Sequence, residues 1–458
     1  MIQEHKNVTD LRTEKISKLL GKYYWPSFAG AVIHTLYNIV DRIFIGQGVG
    51  AEALAGLSSV FPIMLIFIAF GMMVGMGASV RVSINLGKGN IARAEHVLGN
   101  ALAMSIIFSV CLGLAAYFMK DSLLTLFGVS TQTKDYANEY LNIVLIGTIF
   151  NITGYSLNNV IRAVGNVKVA MYSMLISAGL NLILDPIFIF IFDMGVKGAA
   201  LATVISQCFL FFWVLYHFFN KKTVIKFRLR NLRPNWEIIL YIVTIGFAPF
   251  AMQIASSMVQ GTSNTQLVTY GGDLAVGTMG VVMSVVMLIL MSIFALNMAS
   301  QPIISFNVGS NNYARVKETL ILVLKIATAI SLVGCIVVEL FPRTIAQMFS
   351  TNNEEFLQIS ERALRLVFIV FPIVGFQVVL GNYFQAIGNA WKSALISMLR
   401  QVIVLVPLLF ILPNYFGLDG VWYAFPLSDL VSATAAAIFL FYEIRRLNAL
   451  INQSPQST

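Results

Sequence analysis

Twelve apolar runs of 20 residues or more follow one another down the chain, at 23–46, 53–80, 94–118, 136–160, 169–192, 198–219, 238–264, 275–299, 316–340, 363–384, 393–412 and 421–442. A helix rises 1.5 Å per residue, so each run is long enough to cross a hydrocarbon core roughly 30 Å thick. In that core every backbone N–H and C=O needs a partner inside the protein, which makes each run a helix. The fold class read from the sequence is an all-α polytopic membrane protein. Composition agrees, because 58% of the 458 residues are hydrophobic and 11% charged, unlike a soluble domain.

The formal charge of +9 raises the question of a nucleic-acid partner. The basic residues answer it by collecting in alternate loops, as the positive-inside rule demands. Lys6, Arg12, Lys15, Lys18 and Lys22 precede the first run, and Arg81, Lys88 and Arg93 follow the second. Lys221, Lys222, Lys226, Arg228, Arg230 and Arg233 fill 220–236, and Arg445 and Arg446 follow the last run. The loops on the other side are poorer, with Lys120, Lys134, Lys197 and Arg343. Both termini are therefore expected in the cytoplasm, in a bacterial cytoplasmic (inner) membrane, with no nucleic-acid partner and the chain a monomer. The first 21 residues lack an apolar core of signal-peptide type, so the first run itself is expected to direct insertion. Cys111, Cys208 and Cys335 each stand alone in an apolar run and read as small hydrophobes, not metal ligands.

The two halves repeat. Asn-Leu-Gly-Lys-Gly-Asn-Ile-Ala-Arg at 85–93 returns as Asn-Val-Gly-Ser-Asn-Asn-Tyr-Ala-Arg at 307–315, with five of nine positions identical. Ala163-Val164-Gly165-Asn166 returns as Ala386-Ile387-Gly388-Asn389, Gly195 and Gly198 as Gly417 and Gly420, and Pro26 as Pro249. The offset spans six helices, so both halves keep one topology and are expected to be related by an axis along the membrane normal. The domains follow: a cytoplasmic segment 1–22, a six-helix bundle 23–219, a basic linker 220–236, a second six-helix bundle 237–444 and a tail 445–458. Pro26, near the start of the first helix, is a candidate hinge.

Chemistry is expected where charge enters the apolar runs. A carboxylate at mid-bilayer costs roughly 2.5–3.5 kcal/mol on insertion scales, so an intramembrane Asp is a functional candidate by default. Asp41 is one, with Tyr37 four and His34 seven residues before it on the same helical face. Asp185 is the second, with Asn181 four residues earlier. Counting along the helices puts Asp41 roughly 27 Å and Asp185 about 24 Å from the inner surface, with Thr203 about 8 Å below the outer one. These depths agree to about one turn. Two carboxylates, a carboxamide and a hydroxyl make a hard-oxygen cluster suited to a proton or to Na+ at Asp41, Asn181, Asp185 and Thr203, and poor for zinc. Competing readings pair Asp41 with Arg42, place it at the outer interface, make Asp185 a helix cap beside Pro186, and leave His34 an ordinary hydrogen-bonded histidine.

The second half reads differently, with Asn264 where Asp41 would fall and Leu408 where Asp185 would fall. No Asp or Glu is expected deep in helices 7, 8, 10, 11 or 12, and Glu339 and Lys325 in helix 9 lie near helix ends, where snorkelling explains them. Gln253, Gln260, Gln266, Asn264, Gln377, Asn382 and Gln385 either line a substrate cavity, with His34, or bond neighbouring helices.

Pro26, the segment Tyr-Asn-Ile-Val-Asp-Arg-Ile-Phe-Ile-Gly at 37–46, Asn-x-Gly-x-x-Asn-x-Ala-Arg at 85–93, Arg-Ala-x-Gly-Asn at 162–166 and Asn-Leu-Ile-Leu-Asp-Pro at 181–186 together resemble the multidrug and toxic compound extrusion (MATE) family over nearly the whole chain. The resemblance implies antiport without a cofactor, in which amphipathic, often cationic small molecules leave as H+ or Na+ enters. It implies an ion site in the N-terminal lobe at Tyr37, Asp41, Asn181, Asp185 and Thr203, with a helix-4 asparagine whose nearest match is Asn158. The branch that uses acids in helices 7 and 10 is not matched, since Ser256, Ser257 and Gln377 stand there. Similarity is closer to the DinF-like or small multidrug-exporter branches. The alternative within the superfamily is a flippase for a lipid-linked saccharide. An enzyme is not expected, for lack of a nucleophile–base or metal motif, and an ATP-driven pump lacks its phosphate-binding loop.

Overall fold

The structure is a computed structural model and describes residues 9–127, 129, 133–220, 223–349 and 353–453, less the side chains at 34, 35, 37, 38, 51, 55, 59 and 273. It is a succession of long helices: α1 Ile16–Gly48, α2 Ala51–Gly87, α3 Ile91–Phe118, α4 Lys134–Ala163, α5 Val167–Ile191, α6 Gly195–Phe219, α7 Trp236–Gly272, α8 Leu274–Gly309, α9 Tyr313–Leu340, α10 in two pieces, Glu354–Phe368 and Pro372–Ala386, α11 Ala390–Phe416 and α12 Leu418–Gln453. Among the described residues, ten of these, or eleven with the bent α10, are long and apolar enough to cross a membrane. The remaining helix, α1, has 33 residues and runs unbroken through Pro26. That is about 50 Å, ample for a span, but His34, Asn38, Asp41 and Arg42 dilute its hydropathy. The all-α, twelve-helix, two-bundle fold class expected from the sequence is the one observed.

Two compact units divide the chain. The first holds Gly21–Phe250 with the segment up to Lys15, the second Ala251–Thr458 with Ile16–Leu20.

In the first unit small residues set the helix spacing, as they must where lipid offers no hydrophobic drive for helices to associate. A Cβ at Gly75 of α2 would lie 2.9 Å from the Ser156 Cα of α4. Gly77 of α2 meets the backbone of Ile242 in α7, and Gly246 of α7 meets that of Met73, so these helices touch main chain to main chain. The segment between α6 and α7 is tied down by Asn100 of α3, whose side chain donates to the carbonyls of Asn231 (3.3 Å) and Arg233 (3.4 Å) and accepts from the Asn235 N–H (2.8 Å). Glu95 adds an ion pair to Arg228 at 2.7 Å.

In the second unit α10 bends by 53° between its pieces. The sequence reading made it one straight run. Pro372 opens the second piece without an N–H to continue the ladder, and Phe368 stacks on Phe371 at 4.6 Å across the break. Gly375 then lets α10 approach the Ala327 carbonyl of α9, which a Cβ would meet at 2.6 Å.

Each unit carries the same local devices. Asn90 caps α3 by accepting from the Arg93 N–H at 3.0 Å, and Asn312 caps α9 from Arg315 at 3.3 Å. Ser83 binds the Ala163 carbonyl at 3.0 Å and Ser305 the Ala386 carbonyl at 2.7 Å. Gly165 and Gly388 turn the α4–α5 and α10–α11 corners at φ 94° and 83°, a region costly for any residue with a Cβ. Both α5 and α11 contain a π-helical stretch, Ile187–Ile191 and Leu399–Leu405. The repeat read in the sequence is thus a repeat of hydrogen bonds.

Candidate ion site

Asp41 and Asp185 meet because α1 and α5 run side by side in the same direction. Gly30 lies 3.7 Å (as a Cβ) from Met174 Sδ, Phe44 packs edge-on to Phe190 with centroids 6.2 Å apart, and Gly48 abuts Ile189 and Phe190. Between these contacts the two carboxyl groups lie against each other, side chain to side chain. Asp41 is 9% exposed, Asp185 1% and Asn181 2%.

Asn181 donates to Asp185 Oδ1 at 3.2 Å, the i,i+4 pair expected from their spacing. Asp185 does not cap a helix end, because Pro186 lies within the helix and the chain continues as the π turn Ile187–Ile191. Past Pro186 the Ile187 N–H bonds the Leu184 carbonyl, and the π turn closes where the Phe192 N–H reaches the Ile187 carbonyl at 3.0 Å. Arg42 forms no ion pair with Asp41 among the described residues and acts on it only through its charge; its guanidinium lies over the Phe61 ring, 4.8 Å from the centroid. Neighbouring side chains on a helix diverge, and these do.

Three oxygens of the cluster, Asp41 Oδ1, Asn181 Oδ1 and Asp185 Oδ2, are buried and make no hydrogen bond among the described residues. Orphaned buried acceptors cost on the order of 1–3 kcal/mol each, which singles out three of them on neighbouring residues as a candidate site. The donor set is all oxygen and acceptor-only, which fits a proton or an alkali cation.

Thr203 is placed by register. Ser177 of α5 donates to the Ser206 carbonyl of α6 at 2.8 Å, and these helices run antiparallel, so Thr203 comes within about a turn of Asn181. Asn158 lies elsewhere: it donates to the Ala170 carbonyl at 3.0 Å and to Ser173 Oγ at 2.8 Å, in the first turns of α5. That is about 12 Å along the helix from Asn181. By the same register the α4 asparagine nearest the level of Asn181 is Asn151. The side chains of Tyr37 and His34 are outside the described residues; their backbone lies in α1, one and two turns before Asp41.

The residues assigned to a substrate cavity separate into two sets. Gln260 and Asn264 lie exposed on α7, and Gln253 is half-buried there. Gln377 is 2% exposed with both amide atoms unpartnered, and Asn382 donates to the Asn297 carbonyl of α8 at 3.4 Å. The sequence reading passed over Asn297 and Gln301 of α8, both 7% exposed.

One expectation for the second unit is corrected. α12 does hold a buried acid: Asp429 accepts from Arg400 Nε of α11 at 2.6 Å. The signal was present, a charge near the middle of each of the last two apolar runs, but the search looked for counterparts of Asp41 and Asp185 and found Asn264 and Leu408.

A multi-pass bundle of long apolar helices in two repeated halves is the architecture of a membrane transport protein. The MatE family model matches residues 26–187 and 249–411, and the chain belongs to that family. It is 27% identical over 430 residues, 94% of each chain, to the multidrug export protein MepA of Staphylococcus haemolyticus. Among solved structures it is similar to a MATE protein in the bent conformation, with a TM-score of 0.90 and 27% identity over 98% of both chains. It also resembles a multidrug resistance MATE family transporter of the MOP superfamily in an outward-facing conformation, with a TM-score of 0.89 and 27% identity over 98% of this chain and 99% of that one.

Proposed function

We propose that this protein exports amphipathic, often cationic organic compounds across a bacterial cytoplasmic membrane in exchange for H+ or Na+, with Asp41, Asp185, Asn181 and Thr203 holding the coupling ion. The observation that carries this reading is the side-by-side burial of Asp41 and Asp185 with unpartnered oxygens on both and on Asn181. Two carboxylates in one poorly solvated site do not readily both ionise, so the site takes up a proton, or a cation that neutralises them. Uptake changes the charge of the first bundle and biases which of two conformations it adopts. Substrate and ion then alternate, Pro26 lets α1 bend, both termini and the 220–236 linker face the cytoplasm, and one chain suffices. Tyr37 and the α4 asparagine level with the pair, Asn151, complete the oxygen set. The names of the matched exporters favour drug-like substrates over lipid-linked saccharides.

Dye efflux from proteoliposomes under separately imposed proton and sodium gradients tests the reading. Accumulation of dye on the trans side against its gradient, driven by one ion and lost in Asp41→Asn, is expected. Efflux indifferent to both gradients overturns it.

A further inference from the structure

The Arg400–Asp429 pair lies at mid-membrane in the second bundle: Arg400 is about 15 Å along α11 and Asp429 about 17 Å along α12 at 1.5 Å per residue. The repeat places it. Arg400 corresponds to Ser177 at the offset that equates Gly388 with Gly165, and Ser428 and Asp429 correspond to Ser206 and Gln207 at the offset that equates Gly420 with Gly198; Ser177 and Ser206 bond α5 to α6 in the first bundle. The second bundle keeps a plain hydrogen bond at this level as well, from Ser428 Oγ to the Arg400 carbonyl at 2.5 Å, and adds the ion pair. Helix association is thus already served by hydroxyls. A guanidinium and a carboxylate are a costly addition for structure alone.

Other polar groups gather at the same level. Arg400 and Gln401 sit in the π-helical stretch Leu399–Leu405, a distortion frequent at functional sites. Ser256 of α7 donates to Gln401 Oε1 at 3.4 Å, which leaves the Gln401 amide nitrogen as a donor. Across the α10–α11 hairpin, whose register is fixed by Ser393 Oγ on the Gly381 carbonyl at 2.9 Å, Gln377 comes within about one turn of the level of Arg400, buried and with no partner on either amide atom.

The pair is unequally accessible, with side-chain exposure of 6% for Asp429 and 22% for Arg400. The carboxylate is enclosed and already engaged by Nε; what the site offers is the outer edge of the guanidinium. The guanidinium keeps part of its edge exposed, and a charge within a spanning segment ordinarily faces a bundle interior. The guanidinium's planar fork matches an oxyanion with two coplanar oxygens, and amide donors on Gln377 and Gln401 extend it.

We propose that Arg400, held by Asp429 and flanked by Gln377 and Gln401, is a binding site in the second bundle for the carboxylate of zwitterionic or anionic amphipathic substrates. The proposal rests on the export reading for its ligand, and it is separate from the ion site, which offers only acceptors.

Rhodamine B carries a carboxylate and its ethyl ester does not, the cation and ring system being otherwise the same. Fluorescence polarisation with the full-length protein in detergent is expected to give at least tenfold tighter binding of the acid than of the ester. The double variant Arg400→Gln, Asp429→Asn removes both charges together and so leaves no orphan. It is expected to bring acid and ester to within about threefold by weakening the acid, with ester binding unchanged as the check on folding. Should that variant fail to fold, Arg400→Lys keeps the charge, loses the fork and is expected to reduce the preference at least threefold. Equal binding of acid and ester by the wild type, or an undiminished preference in the variant that folds, overturns the proposal. Wild-type proteoliposomes that pump the ester under an ion gradient while acid and ester bind alike leave the export reading standing and remove this site. Acid preference in binding with neither dye pumped removes the export reading and keeps the site.

Discussion

Asp185 takes one hydrogen bond from Asn181, at 3.2 Å on its own helix, and its carboxyl group lies against that of Asp41 on a neighbouring parallel helix, so it stands in two relationships. The first holds the carboxylate in place. The second makes its charge depend on that of Asp41.

Replacing either acid by Asn keeps shape and removes the titrating group. Asp41→Asn or Asp185→Asn is expected to abolish ion-driven efflux with normal expression and an unchanged elution profile. Glu339→Gln is the control: Glu339 is 34% exposed and 3.9 Å from Arg365, and its loss is expected to leave transport within about twofold, as for an exposed ion pair. Both Asn variants extruding dye with unaltered dependence on pH and sodium would falsify the N-terminal ion site.

Asn181→Ala is expected to be graded. It removes the unpartnered Asn181 oxygen, an interaction with a cation worth about 1.5–3 kcal/mol, so the apparent affinity for Na+ falls roughly 10–100-fold while maximal efflux persists at high sodium. Titrating efflux against the driving ion separates this from an outright loss.

Much of this arrangement was legible in the sequence because a carboxylate in an apolar run is conspicuous and its helical neighbours at i±4 follow from geometry. Asp41, Asn181 and Asp185 were found that way, and so were the repeat and the run positions. What stayed hidden depends on which residues touch. Asn158 matches by sequence, yet it is spent on Ala170 and Ser173 in the α4–α5 hairpin. The α10 bend needs the Phe368–Phe371 stack as well as Pro372. Arg400 and Asp429 do not show in a comparison of the halves because their repeat partners, Ser177 and Gln207, are neutral: the position repeats and the chemistry does not.

The glycine contact between α2 and α7 makes a prediction about stability. Gly246→Val drives side-chain atoms into the Met73 backbone, and Gly77→Val does the same at Ile242. Overpacking costs about 1–3 kcal/mol where neighbours can shift, and backbone yields less than a side-chain tip, so thermal unfolding in detergent is expected to move down by several degrees. Gly261→Ala, in the same helix with nothing within 4 Å, is expected to leave the transition unchanged or slightly raised. Equal melting of all three would mean that the two helices do not meet backbone to backbone.

Topology can be read from the linker. The buried Asn100 anchor and the Glu95–Arg228 pair hold 223–235 against α3, so a probe there reports the side on which α3 begins. Cysteines at Arg230 and Leu229, both at the exposed linker surface, are expected to react with an impermeant maleimide only after the cells are opened, since the basic loops belong inside. Arg343, which lies in a chain segment on the opposite side and pairs with Glu354 at 2.7 Å, supplies the complementary position. A cysteine there is expected to react in intact cells. Labelling of 230 in intact cells with protection of 343 would invert the orientation. It would also place the entry side of Asp41 and Asp185, near the outer ends of α1 and α5, on the cytoplasmic face, where an inward ion gradient could not drive export.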